Sequence, residues 1–156
     1  MPKQIERSRL AVWFLVLVTL LFAFVIAWQK VEQEASDTAL LVASNRIVER
    51  ANFYKQQWLL AGEPHELTFN HKLIRYSNSG WVKPLNSENK VDCRYWLDLF
   101  YEEERVLESL PIKIKDNSKL LGFQCEYFYS REHAININLI DNKFSVGVSF
   151  SSEYEF

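Results

Sequence analysis

Two hydrophobic patterns divide the first 61 residues. Of the 19 residues 10–28, 18 are apolar and only Thr19 is not. Such a run has no polar face; as a helix it would span roughly 28 Å, close to the ~30 Å hydrocarbon core of a bilayer. From Lys30 to about Ala61 the apolar positions recur three and four apart: Val31, Ala35, Thr38/Ala39, Val42, Ile47/Val48, Ala51, Phe53/Tyr54 and Trp58/Leu59. Polar Glu32, Asp37, Asn45, Arg46, Glu49 and Lys55 fill the gaps. No Gly or Pro interrupts residues 3–61, and Gly62 followed by Pro64 is a stop signal. The spacing predicts one helix from about Leu10 to Ala61, 52 residues and roughly 78 Å long. Its second half needs a partner for its apolar stripe.

Beyond Gly62 the period changes. Residues 67–69 and 73–76 flank a short polar link and read as a hairpin. Asn78-Ser79-Gly80 is a turn, and residues 86–90 form a polar loop. Residues 92–101 read as a short amphipathic helix with Tyr95/Trp96, Leu99 and Phe100 on one side, followed by the acidic run Glu102-Glu103-Glu104. Residues 112–115 and 120–129 are strand-like, and residues 135–139 alternate strictly between apolar and polar. Asp141-Asn142 suits a tight hairpin turn. Phe144, Val146, Val148 and Phe150 then alternate with Ser145, Gly147, Ser149 and Ser151. The pattern predicts an α+β fold: an antiparallel β-meander of about four strands with one greasy face, covered by the amphipathic half of the long helix.

Composition locates the hydrophobic excess. The chain has 156 residues, 48% hydrophobic and 24% charged, with net charge -2 and four glycines. That excludes collagen-like, low-complexity and disordered classes, and there is no basic excess of the kind nucleic-acid binding requires. Without the first 28 residues, 55 of 128 residues are hydrophobic, about 43%, ordinary for a soluble domain. Trp13 and Trp28 lie near the ends of the apolar run, where indole rings favour the membrane interface. Lys3, Arg7 and Arg9 precede it against Glu6, whereas Glu32, Glu34 and Asp37 follow it against Lys30. The positive-inside bias predicts a cytoplasmic N-terminus and export of residues 29–156. A cleaved signal peptide ending near Val25-Ile26-Ala27 is the alternative; the length of the run favours an uncleaved anchor. The expected organisation is a cytoplasmic tail (1–9), a transmembrane helix (10–28), an amphipathic extension (29–62) and a periplasmic sheet domain (63–156). Both cysteines, Cys93 and Cys125, fall in the exported part, where an even pair is expected as a disulfide.

Candidate chemistry adds little. His65, His71 and His133 share no metal-ligand spacing, and His65-Glu66 lacks the second His of a zincin motif. Glycines at 62, 80, 122 and 147 alone leave no phosphate loop, and no Gly-x-Ser-x-Gly elbow is present. Glu102–Glu104 has no Asp/Asn/Gly calcium loop around it and reads as a solvated face. The expectation is no enzyme, no metal and no cofactor. The 23 aromatic residues stand out more. Trp58, Trp81, Tyr95, Trp96 and Phe100 form either an interaction patch or the filling between helix and sheet. Periodicity places Trp96 and Trp58 best in a core. Trp81, after Gly80 and near Pro84, is the leading contact candidate, with Trp58 and Tyr95 beside it.

A long, half-membrane N-terminal helix packed on an antiparallel sheet, with a disulfide in the C-terminal half, resembles the type IV pilin and pseudopilin layout. The run from Asn45 to Leu60 (Asn-Arg-Ile-Val-Glu-Arg-Ala-Asn-Phe-Tyr-Lys-Gln-Gln-Trp-Leu-Leu) is similar to the MshF family of the mannose-sensitive haemagglutinin (MSHA) type IV pilus system, as are Gly80-Trp81-Val82-Lys83-Pro84 and Asp92-Cys93-Arg94-Tyr95-Trp96-Leu97. The resemblance implies a part in pilus biogenesis at the bacterial inner membrane, with pilins, other assembly proteins and the lipid bilayer as partners. One departure matters. Pilins are cut after a Gly and carry a Glu five residues into the mature helix; here no Gly precedes Gly62 and residues 10–28 hold no acid. The expected role is therefore an accessory factor that keeps its anchor. A non-processed minor pilin-like subunit and a periplasmic sensor or ligand-binding domain are the alternatives.

Overall fold

The computed structural model describes residues 2–106, 109–131 and 133–150. The fold is α+β. Helix α1 spans Pro2–Leu60, hairpin strands β1 and β2 span Glu66–Phe69 and Lys72–Arg75, and helix α2 spans Cys93–Phe100. Strands β3 (Lys113–Asp116), β4 (Gly122–Phe128), β5 (His133–Ile140) and β6 (Lys143–Phe150) complete it. The chain forms two compact units, Met1–Asp37 and Thr38–Phe156.

Met1–Asp37 is helical over its described residues. The helix begins at Pro2, not near Leu10 as the apolar run alone suggested. Proline is favoured at the first helical position, and residues 3–9 contain no breaker, so the helix starts before the hydrophobic segment does. The 20 residues Arg9–Trp28 are long and apolar enough to cross a membrane; a signal sequence has the same properties. The one polar side chain of the apolar run is satisfied locally, Thr19 Oγ1 donating to the Val16 carbonyl at 2.9 Å.

In the unit Thr38–Phe156, α1 buries Leu40, Ala43, Ile47, Ala51, Tyr54 and Trp58. Their spacings of three, four, four, three and four define one stripe on one face. The helix closes with a left-handed Gly62 (φ 83°). The Gly62 amide donates to the Leu59 carbonyl at 3.2 Å, and the Glu63 amide to the Trp58 carbonyl at 3.0 Å. Those two bonds make a Schellman cap, which satisfies carbonyls a helix end leaves open.

The β1–β2 hairpin turns at Asn70-His71, both at positive φ, as a type I′ turn requires. The second sheet is an antiparallel meander in the order β3-β4-β5-β6. Its β5–β6 turn at Asp141-Asn142 also has positive φ at both positions, in agreement with the sequence. By contrast, Leu120 and Leu121 belong to a turn and not to a strand: the Lys119 and Gly122 amides and carbonyls bond across them.

One core joins these parts. Ile135, Ile137 and Leu139 of β5 and Cys125 and Tyr127 of β4 share it with the α1 stripe and with Trp96, Leu97, Leu99 and Phe100 of α2. Phe144 of β6 meets Phe100 at 5.5 Å and Trp96 at 6.1 Å, both edge-on. Tyr54 of α1 lies 6.2 Å from Phe100 and 5.8 Å from Phe69. The short helix thus carries rings that touch both the long helix and the meander. Cys93 and Cys125 are disulfide-bonded, with Cα atoms 5.6 Å apart, which ties the first turn of α2 to the middle of β4.

Candidate interaction surface

The three aromatic contact candidates are largely committed inside the chain. Trp58 is buried, and its indole N–H donates to the Pro64 carbonyl at 2.9 Å. As a surface contact it is corrected to a core residue, because its position on the α1 stripe turns it inward. The ring also explains Gly80: a Cβ there would come within 2.2 Å of it. Tyr95 is half-buried and donates from its hydroxyl to the Leu73 carbonyl at 2.9 Å. Trp81 is half-buried, stacked on Phe144 at 5.1 Å, with Lys55 Nζ 4.2 Å from its ring centroid. A nearby cation and a stacked aromatic neighbour account for it as packing. Trp96 and Phe100 are buried.

The polar candidates have structural roles as well. His71 sits exposed in the β1–β2 turn and His65 is exposed before β1, whereas His133 is half-buried with Nδ1 2.7 Å from Ser130 Oγ. Cys93, Asp116 and Cys125 approach one another. The two sulfurs are bonded to each other, so neither is a thiolate donor. The acidic run, expected to be simply solvated, faces arginines. Arg46 lies 3.9 Å from Glu103, Arg50 3.7 Å from Glu102, and Arg94 3.4 Å from Glu104. Exposed pairs of this length add at most about 1 kcal/mol each. The first two set the segment after α2 against α1, and the third folds it back on α2. Beside the first two pairs lies a shallow groove of about 420 Å³, lined by Arg46, Arg50, Glu102 and Glu103 together with Glu49, Phe53, Phe100 and Tyr101.

Buried hydroxyls mark where the core is polar. Tyr127 donates to the Cys93 carbonyl at 2.6 Å, and Tyr129 to the Glu104 carbonyl at 3.2 Å. Burial raises the phenol pKa of both, and pushes Tyr76 and Tyr95 up to about 12. Tyr76 Oη has no hydrogen-bond partner among the described residues.

What the sequence reading missed is a second face on α1. Val42 and Val48 were expected in the buried stripe, but Leu41, Val42 and Val48 are 50, 48 and 37% exposed. Exposed Asn45 and Glu49 share their side of the helix. The signal was available in the run Ala39-Leu40-Leu41-Val42-Ala43. Five consecutive apolar residues sweep the full circumference of a helix at about 100° each, so they cannot all belong to one stripe. Leu40 and Ala43 take the core; Leu41 and Val42 are left outward. No protein-family model, curated protein or solved structure matches this chain.

Proposed function

We propose that this chain is an inner-membrane-anchored accessory protein of type IV pilus biogenesis, of the MSHA kind, which acts by protein–protein contact and not by catalysis. The observation that carries the reading is the outward apolar face of α1 at Leu41, Val42 and Val48, backed by a rigid core stripe on the other side of the same helix. On this reading the neighbouring exposed aliphatics on one side of the helix serve as a docking surface for another helix. The span Arg9–Trp28 supplies the anchor, and the basic residues before it orient the N-terminus to the cytoplasm, with Thr38–Phe156 in the periplasm. The disulfide suits that oxidising compartment. The resemblance of the Asn45–Leu60 run to MshF proteins supplies the pilus context, and the missing pilin Gly and Glu support retention in the membrane. The sensor alternative needs a cavity at Trp81, where the ring is instead packed between Lys55 and Phe144.

A photocrosslinking residue at Val42 in cells, followed by shearing of pili and membrane fractionation, tests this. The expected product is a membrane-bound adduct with a pilin or an assembly-platform protein. Adducts no more abundant than those from a probe at exposed His71 would refute the docking face. Recovery mainly in sheared fibres would establish the minor-subunit reading instead.

A further inference from the structure

The meander has two edges, and they are finished differently. Edge strand β3 has four residues and two exposed lysines, Lys113 and Lys115. Short length and edge lysines both discourage a further strand from pairing. Edge strand β6 has eight residues, contains no proline, and carries no charge after Lys143. Its last seven residues, Phe144-Ser145-Val146-Gly147-Val148-Ser149-Phe150, read the same in both directions. Gly147 is at the centre, and nothing among the described residues requires glycine there. Its φ is not in the left-handed region, and a Cβ would meet nothing within 4 Å. A mid-strand glycine weakens a strand, and it is characteristic of sites where another backbone comes close. Finally, Phe144, Val146 and Val148 are only half-buried, although Ile135, Ile137 and Leu139 opposite them on β5 are fully covered.

We propose that β6 pairs antiparallel with β6 of a second copy of this chain, about a two-fold axis through Gly147, to join two four-stranded sheets into one of eight. Two-fold pairing sets each residue opposite its mirror position in the strand. The palindrome makes every such pair a like pair: Phe144 with Phe150 of the partner subunit, Ser145 with Ser149 of the partner subunit, and Val146 with Val148 of the partner subunit. Aromatic and β-branched cross-strand pairs stabilise a ladder, and the small Ser and Gly residues let the backbones meet on the other face. An isologous contact closes on itself, so the assembly stops at two.

Position 147 itself supplies the test, since a side chain there has room. The full chain in detergent micelles is sized by light scattering with the detergent mass subtracted. Wild type is expected as two copies. Because both native cysteines are bonded to each other, Gly147→Cys introduces a single free thiol on the axis and should crosslink into a dimer at least ~10-fold faster than Lys115→Cys on the β3 edge. Gly147→Lys sets like charges directly opposite and should weaken the dimer by roughly tenfold. Gly147→Glu should do the same, and mixing the two variants should restore two copies. Unchanged thermal unfolding of each variant shows that the fold is intact. A monomeric wild type, a mass other than two copies, equal crosslinking at 147 and 115, or a Gly147→Lys protein that stays fully dimeric would each overturn the proposal, the last by placing association elsewhere, as on α1.

Discussion

Two buried tyrosines differ by one hydrogen bond, and removing one oxygen from each separates that bond from every other effect. Tyr127 Oη donates to the Cys93 carbonyl at 2.6 Å, whereas Tyr76 Oη has no partner among the described residues. Both rings are almost fully covered, so the apolar contacts survive a change to phenylalanine. A buried hydrogen bond contributes about 0.5–1.5 kcal/mol net, and a desolvated hydroxyl with no partner costs about 1–3 kcal/mol. Tyr127→Phe should therefore lose about 1 kcal/mol, and Tyr76→Phe should be neutral or gain up to about 1 kcal/mol. At roughly 2–4 °C per kcal/mol for a chain of this size, the two melting temperatures should part by a few degrees in opposite directions. Thermal unfolding followed by near-UV circular dichroism in micelles reads the difference. If Tyr76→Phe costs as much as Tyr127→Phe, the assignment of the bonded and the orphaned hydroxyl is wrong.

The same phenols set an alkaline limit. Their folded pKa values lie above the ordinary value near 10, with Tyr76 and Tyr95 at about 12, so the stability they contribute is whole below pH 10 and is lost as pH rises through 10–12. The tyrosinate absorbance of these buried phenols should rise together with loss of near-UV dichroism; complete ionisation of all seven tyrosines near pH 10 with the fold intact would contradict the burial. Cys93→Ser breaks a bridge between residues 32 apart, worth about 3–4 kcal/mol by chain entropy, and should abolish the mobility shift on reduction. An unchanged melting temperature would count against it. Gly80→Ala should cost at least about 2 kcal/mol, since φ is 80° and the methyl would strike the Trp58 ring; a Trp58→Ala background should relieve the steric part, and additive losses would show the ring is not the obstacle.

Local chemistry was legible in the sequence where one signal acted alone. Gly62 ended α1, Asp141-Asn142 made the β5–β6 turn, and Ile135, Ile137 and Leu139 fell on the buried face of β5. The pairing of Cys93 with Cys125 was the one pairing that two cysteines allow within a chain. Legibility failed where two partners compete for one element. Val42 and Val48 lie within helical spacing of core residues, and only the three-dimensional position of the sheet decides which apolar residues face it. Leu120 and Leu121 looked like strand because apolar residues usually are; they form a turn with 107 and 80% exposure. Trp81 looked exposed because its neighbours are turn residues, yet Lys55 and Phe144, distant in sequence, enclose its ring. Glu102 and Glu103 are solvated as expected, with side chains 70 and 72% exposed, and only Glu104, beside Arg94, is covered.

The first turn of α2 has a consequence for how the domain comes together. An eight-residue helix cannot persist in water unaided. Its first turn carries the one covalent tie: Asp92 caps the Tyr95 amide at 2.9 Å, Tyr127 reaches the Cys93 carbonyl, and the sulfur bridge anchors Cys93 to β4, while Trp96 donates to the Val82 carbonyl at 3.1 Å and Lys72 meets Asp98 further along. Trp96 and Phe100, whose rings complete the centre of the domain, ride on that anchored turn. The domain's stability is thus linked to the redox state of its surroundings. Before the sulfurs join, the keystone helix is held only by reversible contacts; afterwards it cannot leave the sheet. A reducing milieu would remove that covalent tie and leave α2 to its packing and hydrogen bonds alone.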